Sequence, residues 1–218
     1  MSLSATRLWE LLPLLLLAIA CALLLTLVSG WAGPYIEQNR QQLRLQPLAG
    51  ILPAGLDVAA LGRGRLLSAP ELLGSEEPVR VYRLQDDGRW QGSLIEIVSH
   101  NGYRGDILMG VVIDADGRLI GVRALVQHET RGLGDGIDYR VSPWLEQFHG
   151  RGLEPEQDWR LRAAGGTIDQ LSGATVTSRA VLRAVHSSMQ LFAAYRDLLQ
   201  AWPQPDCAIL SRAQSACP

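Results

Sequence analysis

The sequence predicts an α+β protein: a single N-terminal transmembrane helix, then a domain of antiparallel strands packed with helices on the far side of the membrane. Three observations carry this. An uncharged apolar run extends from Leu11 to Trp31, alternating strand-and-turn patterns begin at Val79, and Val181, Val185, Met189 and Phe192 recur at helical spacing near the end.

The first element reads LLPLLLLAIACALLLTLVSGW, with only Thr26 and Ser29 as polar side chains. At ~1.5 Å rise per residue this run covers ~30 Å, the hydrocarbon thickness of a bilayer. Pro13 sits near its start, where a missing N–H costs least. A cleaved signal peptide has a shorter apolar core, ~7–15 residues. A lipoprotein reading of Ala18-Ile19-Ala20-Cys21 fails because the residues after Cys21 stay apolar. The expectation is an uncleaved span over 9–31, preceded by a short cytoplasmic leader, 1–8. Arg7 precedes the span and Arg40 and Arg44 follow it, so the positive-inside rule gives little orientation. A leader this short holds no domain, so the rest of the chain lies together on the other side.

Residues 32–78 read as a helical extension, PYIEQNRQQLRLQPLAG, and a loosely structured connector rich in Leu, Ala, Gly and Pro. The folded domain is expected over 79–200 and a tail over 201–218. Within the domain, Val79–Leu84 alternates, Asp87-Gly88 makes a turn, and SLIEIVS follows from Ser93. Asn101-Gly102 is another turn signal. Ile107–Ile113, then Asp114-Ala115-Asp116-Gly117, then Arg118–Gln127 form a second hairpin. A glycine-rich stretch from His128 to Pro143 and the short amphipathic WLEQFHG come next, and the closing helix runs from about Thr177 to Gln200.

Composition excludes several classes. A net charge of -2 gives no electrostatic case for nucleic acid. Every basic residue is arginine, which removes lysine Schiff-base chemistry and the lysine of a phosphate-binding P-loop. Cys21 lies in the membrane run. Cys207 and Cys217 close a short loop that reads equally as a disulfide, suited to the periplasm, or as two free thiols. No Cys/His cluster supports zinc or an iron–sulfur centre.

Gly132, Gly134 and Gly136 in RGLGDGID do not make a dinucleotide fingerprint, which needs a parallel βαβ unit rather than antiparallel hairpins. Clustered glycines do let a backbone turn tightly or approach a ligand, so this loop is either plain or a pocket wall. His128-Glu129 lacks the second histidine of H-E-x-x-H, and no serine sits in a G-x-S-x-G elbow.

Residues 169–178, DQLSGATVTS, remain. One reading is a turn and helix cap, with Ser172, Thr175 or Thr177 accepting from free N–H groups. The other uses the same helix end as a phosphate seat, with unpaired N–H groups and positive partial charge. Gly173 and Ala174 leave room for a bulky group to approach Thr175.

Asp169-Gln170-Leu171-Ser172-Gly173-Ala174-Thr175 resembles the D-x-x-[S/T]-G-A-T flavinylation motif of bacterial membrane redox complexes. In those proteins a flavin transferase links FMN through its phosphate to the last threonine. One N-terminal span, an outside domain, a hairpin before HETRGLG and SGATVTS opening a helix together look like the G subunit of the Rnf electron-transport complex. The alternative is the C subunit of the sodium-pumping NADH:quinone oxidoreductase, which has a similar flavin domain and is usually longer. Two readings outside this resemblance are a membrane-anchored scaffold without redox function and a free-standing extracytoplasmic flavoenzyme.

The resemblance implies a single-pass protein of the bacterial inner membrane whose periplasmic domain, 79–200, binds FMN. It implies FMN on Thr175 and a phosphate seat shaped by Ser172, Gly173, Ala174, Val176 and Thr177. His128, Glu129, Thr130, Gly132, Leu133 and Gly134 would line the flavin or a neighbouring protein of the complex. Implied partners are the other proteins of the complex, a flavin transferase and membrane lipid. One departure is visible: the family loop commonly reads E-T-P-G-L-G, and Arg131 stands in the proline position.

Overall fold

The computed structural model describes Pro13 and residues 15–32, 45–53, 55–56, 61, 64–154, 158–201 and 209–210. The expectations for the leader, the start of the span, residues 33–44, Cys207 and Cys217 lie outside these. The chain divides into two units, Met1–Leu43 and Arg44–Pro218.

In the first unit, α1 is apolar over Leu15–Ala32 with a mean hydropathy of 2.3, long enough to cross a membrane. Its polar side chains are satisfied within the helix: Thr26 Oγ1 donates to Leu23 O at 2.8 Å and Ser29 Oγ to Leu25 O at 2.7 Å. Hydroxyls tied back to their own helix carbonyls are compatible with lipid.

The second unit is built on a sheet. Strands β1 (Arg65–Leu67), β2 (Val79–Asp86), β3 (Arg89–Ser99), β4 (Ile107–Asp114), β5 (Leu119–Val126) and β6 (Ile209–Leu210) lie in the order β5-β4-β3-β2-β1-β6. The pairs from β1 to β5 are antiparallel, and the short β6 runs parallel beside β1. The turns are those the sequence signals. Asp87 and Gly88 have φ of 46° and 76°, as a two-residue hairpin requires. Asp114 Oδ1 accepts the N–H of Asp116 at 2.9 Å and of Arg118 at 2.8 Å, folding the second hairpin with its own side chain.

Register explains why the strands are apolar almost throughout. Val81, Ile95, Val111 and Val122 stand in one row across the sheet, and Tyr82, Leu94, Val112 and Gly121 in the next. Adjacent residues point to opposite faces, and both faces are buried. The first row packs under α3 (Thr175–Ala201), where Val181, Val185, Met189 and Phe192 are all at most 1 % exposed. The second row packs against Leu45, Leu48 and Ile51.

That second layer departs from the helical extension, which holds Leu45 and Leu48, and the loose connector, which holds Ile51, read from the sequence. Gly110 and Gly121 explain it: a Cβ at Gly110 would lie 2.6 Å from Leu48 Cδ2, and one at Gly121 3.0 Å from Ile51. Two glycine sockets in the sheet receive two aliphatic side chains from a segment that shows no periodicity of its own. Further along, Pro70–Leu73 forms the short helix α2, closed by Gly74 at φ 65°.

Candidate cofactor site at the head of the long helix

The loop before α3 is bracketed from below. The Gln147 side chain accepts the Asp169 N–H at 2.8 Å and donates to the Asp169 carbonyl at 3.2 Å, and Trp144 Nε1 donates to the same carbonyl at 2.8 Å. Both come from the 3-10 turn Trp144–Phe148, the amphipathic WLEQF piece. The Asp169 carboxylate turns outward to Arg162 at 2.9 Å. Gly173 then takes φ 74°, which lets the chain fold tightly into the helix.

The first helical hydrogen bond is Ser178 N–H to Ala174 O at 3.0 Å, so the helix starts at Thr175, slightly before the expected Thr177. Alanine at the cap position has no side-chain oxygen to offer. Among the described residues no side chain accepts from the N–H groups of Thr175, Val176 or Thr177. The hydroxyl that stabilises this end is Ser178: it accepts from Leu171 N–H at 2.9 Å and donates to Ala174 O at 3.0 Å. The cap reading with Ser172, Thr175 or Thr177 as acceptor is therefore not what the helix does, and its first turn keeps its donors free.

The glycine loop folds over this helix end. The Thr130 carbonyl accepts from Leu133 and Gly134 at 3.1 and 3.0 Å, while Asp135 Oδ1 accepts the Gly132 N–H at 2.8 Å. Arg131 is exposed, and its N–H has no partner among the described residues. A proline there would lose no hydrogen bond among the described residues. Glu129 fastens loop to helix. It is 6 % exposed, accepts from Thr177 Oγ1 at 2.6 Å and from Arg104 N–H at 3.2 Å. Gly134 is required beside it, because a Cβ there would lie 2.7 Å from Glu129 Oε2 and 3.0 Å from Thr177 Oγ1.

Between loop and helix lies a cleft of about 400 Å³, within the range that holds a cofactor. Glu129, Thr130, Leu133, Gly134, Gly173, Ala174, Thr175, Val176 and Thr177 line it; Ser172, His128 and Gly132 do not. Thr175 and Val176 are exposed at its mouth, and Thr177 is buried. Tyr103, 69 % exposed, forms a further wall that sequence reasoning missed. Its signal was an aromatic directly after the Asn101-Gly102 turn.

Residues 102–190 match the FMN-binding domain family. That stretch begins beside Tyr103 and takes in the glycine loop, the SGAT turn and the first half of α3. The chain is 34 % identical over 196 residues to the G subunit of the ion-translocating oxidoreductase complex of Vibrio cholerae, covering 88 % of this chain and 94 % of the relative. It is 38 % identical over 181 residues to the protein of the same name from Pseudomonas aeruginosa, covering 82 % and 85 %. The corresponding figures for the Shewanella loihica protein are 36 % over 187 residues, 84 % and 88 %. The chain belongs to the G-subunit family of ion-translocating oxidoreductase complexes. As a member of that family it combines an FMN-binding domain with an apolar N-terminal helix long enough to span a membrane.

The cleft fits such a cofactor. A flat ring system needs an apolar slot, which Leu133, Val176 and Tyr103 supply, and a phosphate needs donors, which the free helix N–H groups supply.

Proposed function

We propose that this protein carries FMN as a phosphoester of the Thr175 hydroxyl and relays electrons within a membrane complex that couples NADH and ferredoxin redox chemistry to ion movement. The observation that carries this is the pairing of an exposed Thr175 hydroxyl with free N–H groups at the first turn of α3, beside a cofactor-sized cleft. Thr177, the other threonine of the turn, is already committed to Glu129 and buried.

FMN held there would supply one-electron chemistry; the chain supplies position, solvent access and local dielectric. The free amides and positive helix end hold the phosphate. Gly173 and Gly134 keep the walls close without side chains of their own. Glu129, clamped by Thr177 and Arg104 N–H, fixes the loop that forms one wall. The domain, 79–200, sits on the periplasmic side of the inner membrane, α1 anchors it in lipid, and a flavin transferase loads it. Covalent attachment suits that compartment, where a dissociated flavin diffuses away. The protein works as one part of a translocase and does not turn over alone.

The test is a denaturing gel of full-length protein co-expressed with a flavin transferase, viewed under ultraviolet light. The wild type gives a fluorescent band and Thr175→Ala gives none, while Thr177→Val keeps it. A band that survives Thr175→Ala defeats the assignment. A C-terminal alkaline phosphatase fusion, active only in the periplasm, checks the orientation.

A further inference from the structure

Thr175 borders a second cleft, of about 280 Å³, whose walls include Trp159, Arg160, Arg179 and Arg183. Thr175, Arg179 and Arg183 follow one another at single-turn spacing along one stripe of α3. Helical side chains lean toward the N-terminus, so the arginines lean back toward the Thr175 hydroxyl.

Two of the three arginines in this cleft are uncompensated. Arg160 is held by both oxygens of Asp158, at 2.9 and 3.0 Å. Nearby in sequence, Arg162 is held by Asp169. Arg179 and Arg183 are exposed, and among the described residues no carboxylate pairs with either. The glycine-loop cleft differs in charge: no arginine lines it, and it holds the buried Glu129 carboxylate. Thr175 thus borders both a cleft that holds a carboxylate and one that holds arginines.

We propose that the Arg179–Arg183 cleft is the anion seat of this site, taking the phosphate on Thr175 while the flat ring system lies in the glycine-loop cleft. This rests on the Thr175 reading above. Guanidinium groups match phosphate oxygens with paired N–H donors, and the free amides of the first turn add to the same pull. Arg179 and Arg183 are then positioning residues: they direct the phosphate to one side of Thr175 and so send the ring to the other.

The experiment uses the full chain in detergent, purified from cells without flavin transferase, and compares FMN with riboflavin, which lacks the phosphate. FMN is expected to bind about tenfold tighter or more, with the preference shrinking as salt rises. Arg179→Ala combined with Arg183→Ala removes most of the FMN preference, leaving only what the first-turn amides supply, and leaves riboflavin binding unchanged. The paired Lys substitutions restore most of the preference, which a merely structural role does not explain. Equal binding of the two flavins by wild type, undetectable binding of both, or a double Ala chain that keeps the preference each overturns the proposal. A double Ala chain that keeps the preference yet no longer co-purifies with the membrane complex assigns the arginines to an acidic face of a neighbouring protein instead. The fluorescent gel band separates the two levels: its absence in wild type sinks the Thr175 reading, whereas a normal band with no FMN preference sinks only the arginine seat.

Discussion

Thr177 donates to Glu129 Oε2 at 2.6 Å from a fully enclosed position, and this bond joins the glycine loop to the long helix. Removing Glu129 leaves the Thr177 hydroxyl buried and unpaired, and removing that hydroxyl leaves Glu129 Oε2 without this donor. Glu129→Ala is therefore expected to lower unfolding stability by about 1.5–3 kcal/mol, read by denaturant titration. Thr177→Val should cost a similar amount, and an unchanged midpoint for both would show that the contact contributes nothing. Gly173→Ala places a Cβ 2.8 Å from Leu133 Cδ2 at φ 74°, with an expected cost of about 1–3 kcal/mol. The same change loosens the turn that presents Thr175, so the fluorescent band should weaken as well. At this scale the turn that opens α3 was legible because its geometry is local. Gln147 and Tyr103 were not, because each acts on residues far along the chain: Gln147 on Asp169, Tyr103 on a cleft closed by α3.

The closing helix and both hairpins were legible as elements because each carries its own pattern. Val181, Val185, Met189 and Phe192 announce one apolar face, and that face is the buried one. Phe192 also stacks on Trp90 at 5.8 Å between ring centres. Phe192→Ala is expected to cost about 3–5 kcal/mol, measurable as a drop in denaturation midpoint. The layer on the other face of the sheet was not legible. Its key residues, Leu48 and Ile51, lie in a stretch without periodicity, and the sockets that receive them belong to β4 and β5. Leu48 is nevertheless 0 % exposed, so Leu48→Ala should cost about 2–5 kcal/mol. A loss below about 0.5 kcal/mol, the usual range for surface changes, would mean that the segment is only draped over the sheet.

For the folded unit as a whole, acid sensitivity has two separate windows. His186 lies against Trp159 with ring centres 5.0 Å apart, and burial holds its imidazole below the ordinary value of 6.5. The unfolded chain then binds the proton more readily than the folded one, so stability is full above that value and falls as pH drops below it. Asp138 and Asp158 are held below the ordinary carboxylate value of 3.8 by Arg140 and Arg160, so their contributions persist until pH falls further. Thermal melts of the detergent-solubilised protein should show a first decline between about pH 7 and 5 that His186→Phe flattens. The decline at lower pH should remain. A slope between about pH 7 and 5 unaltered by that substitution would move the effect to another group.

The glycine sockets also set an order of events. Leu48 and Ile51 emerge from the ribosome long before Gly110 and Gly121, the residues that receive them. At roughly 5–20 residues per second, about 60–70 positions correspond to roughly 3–14 s. During that interval an apolar key has no lock. The last hairpin of the sheet, rather than the key itself, decides when the underside of the domain can close.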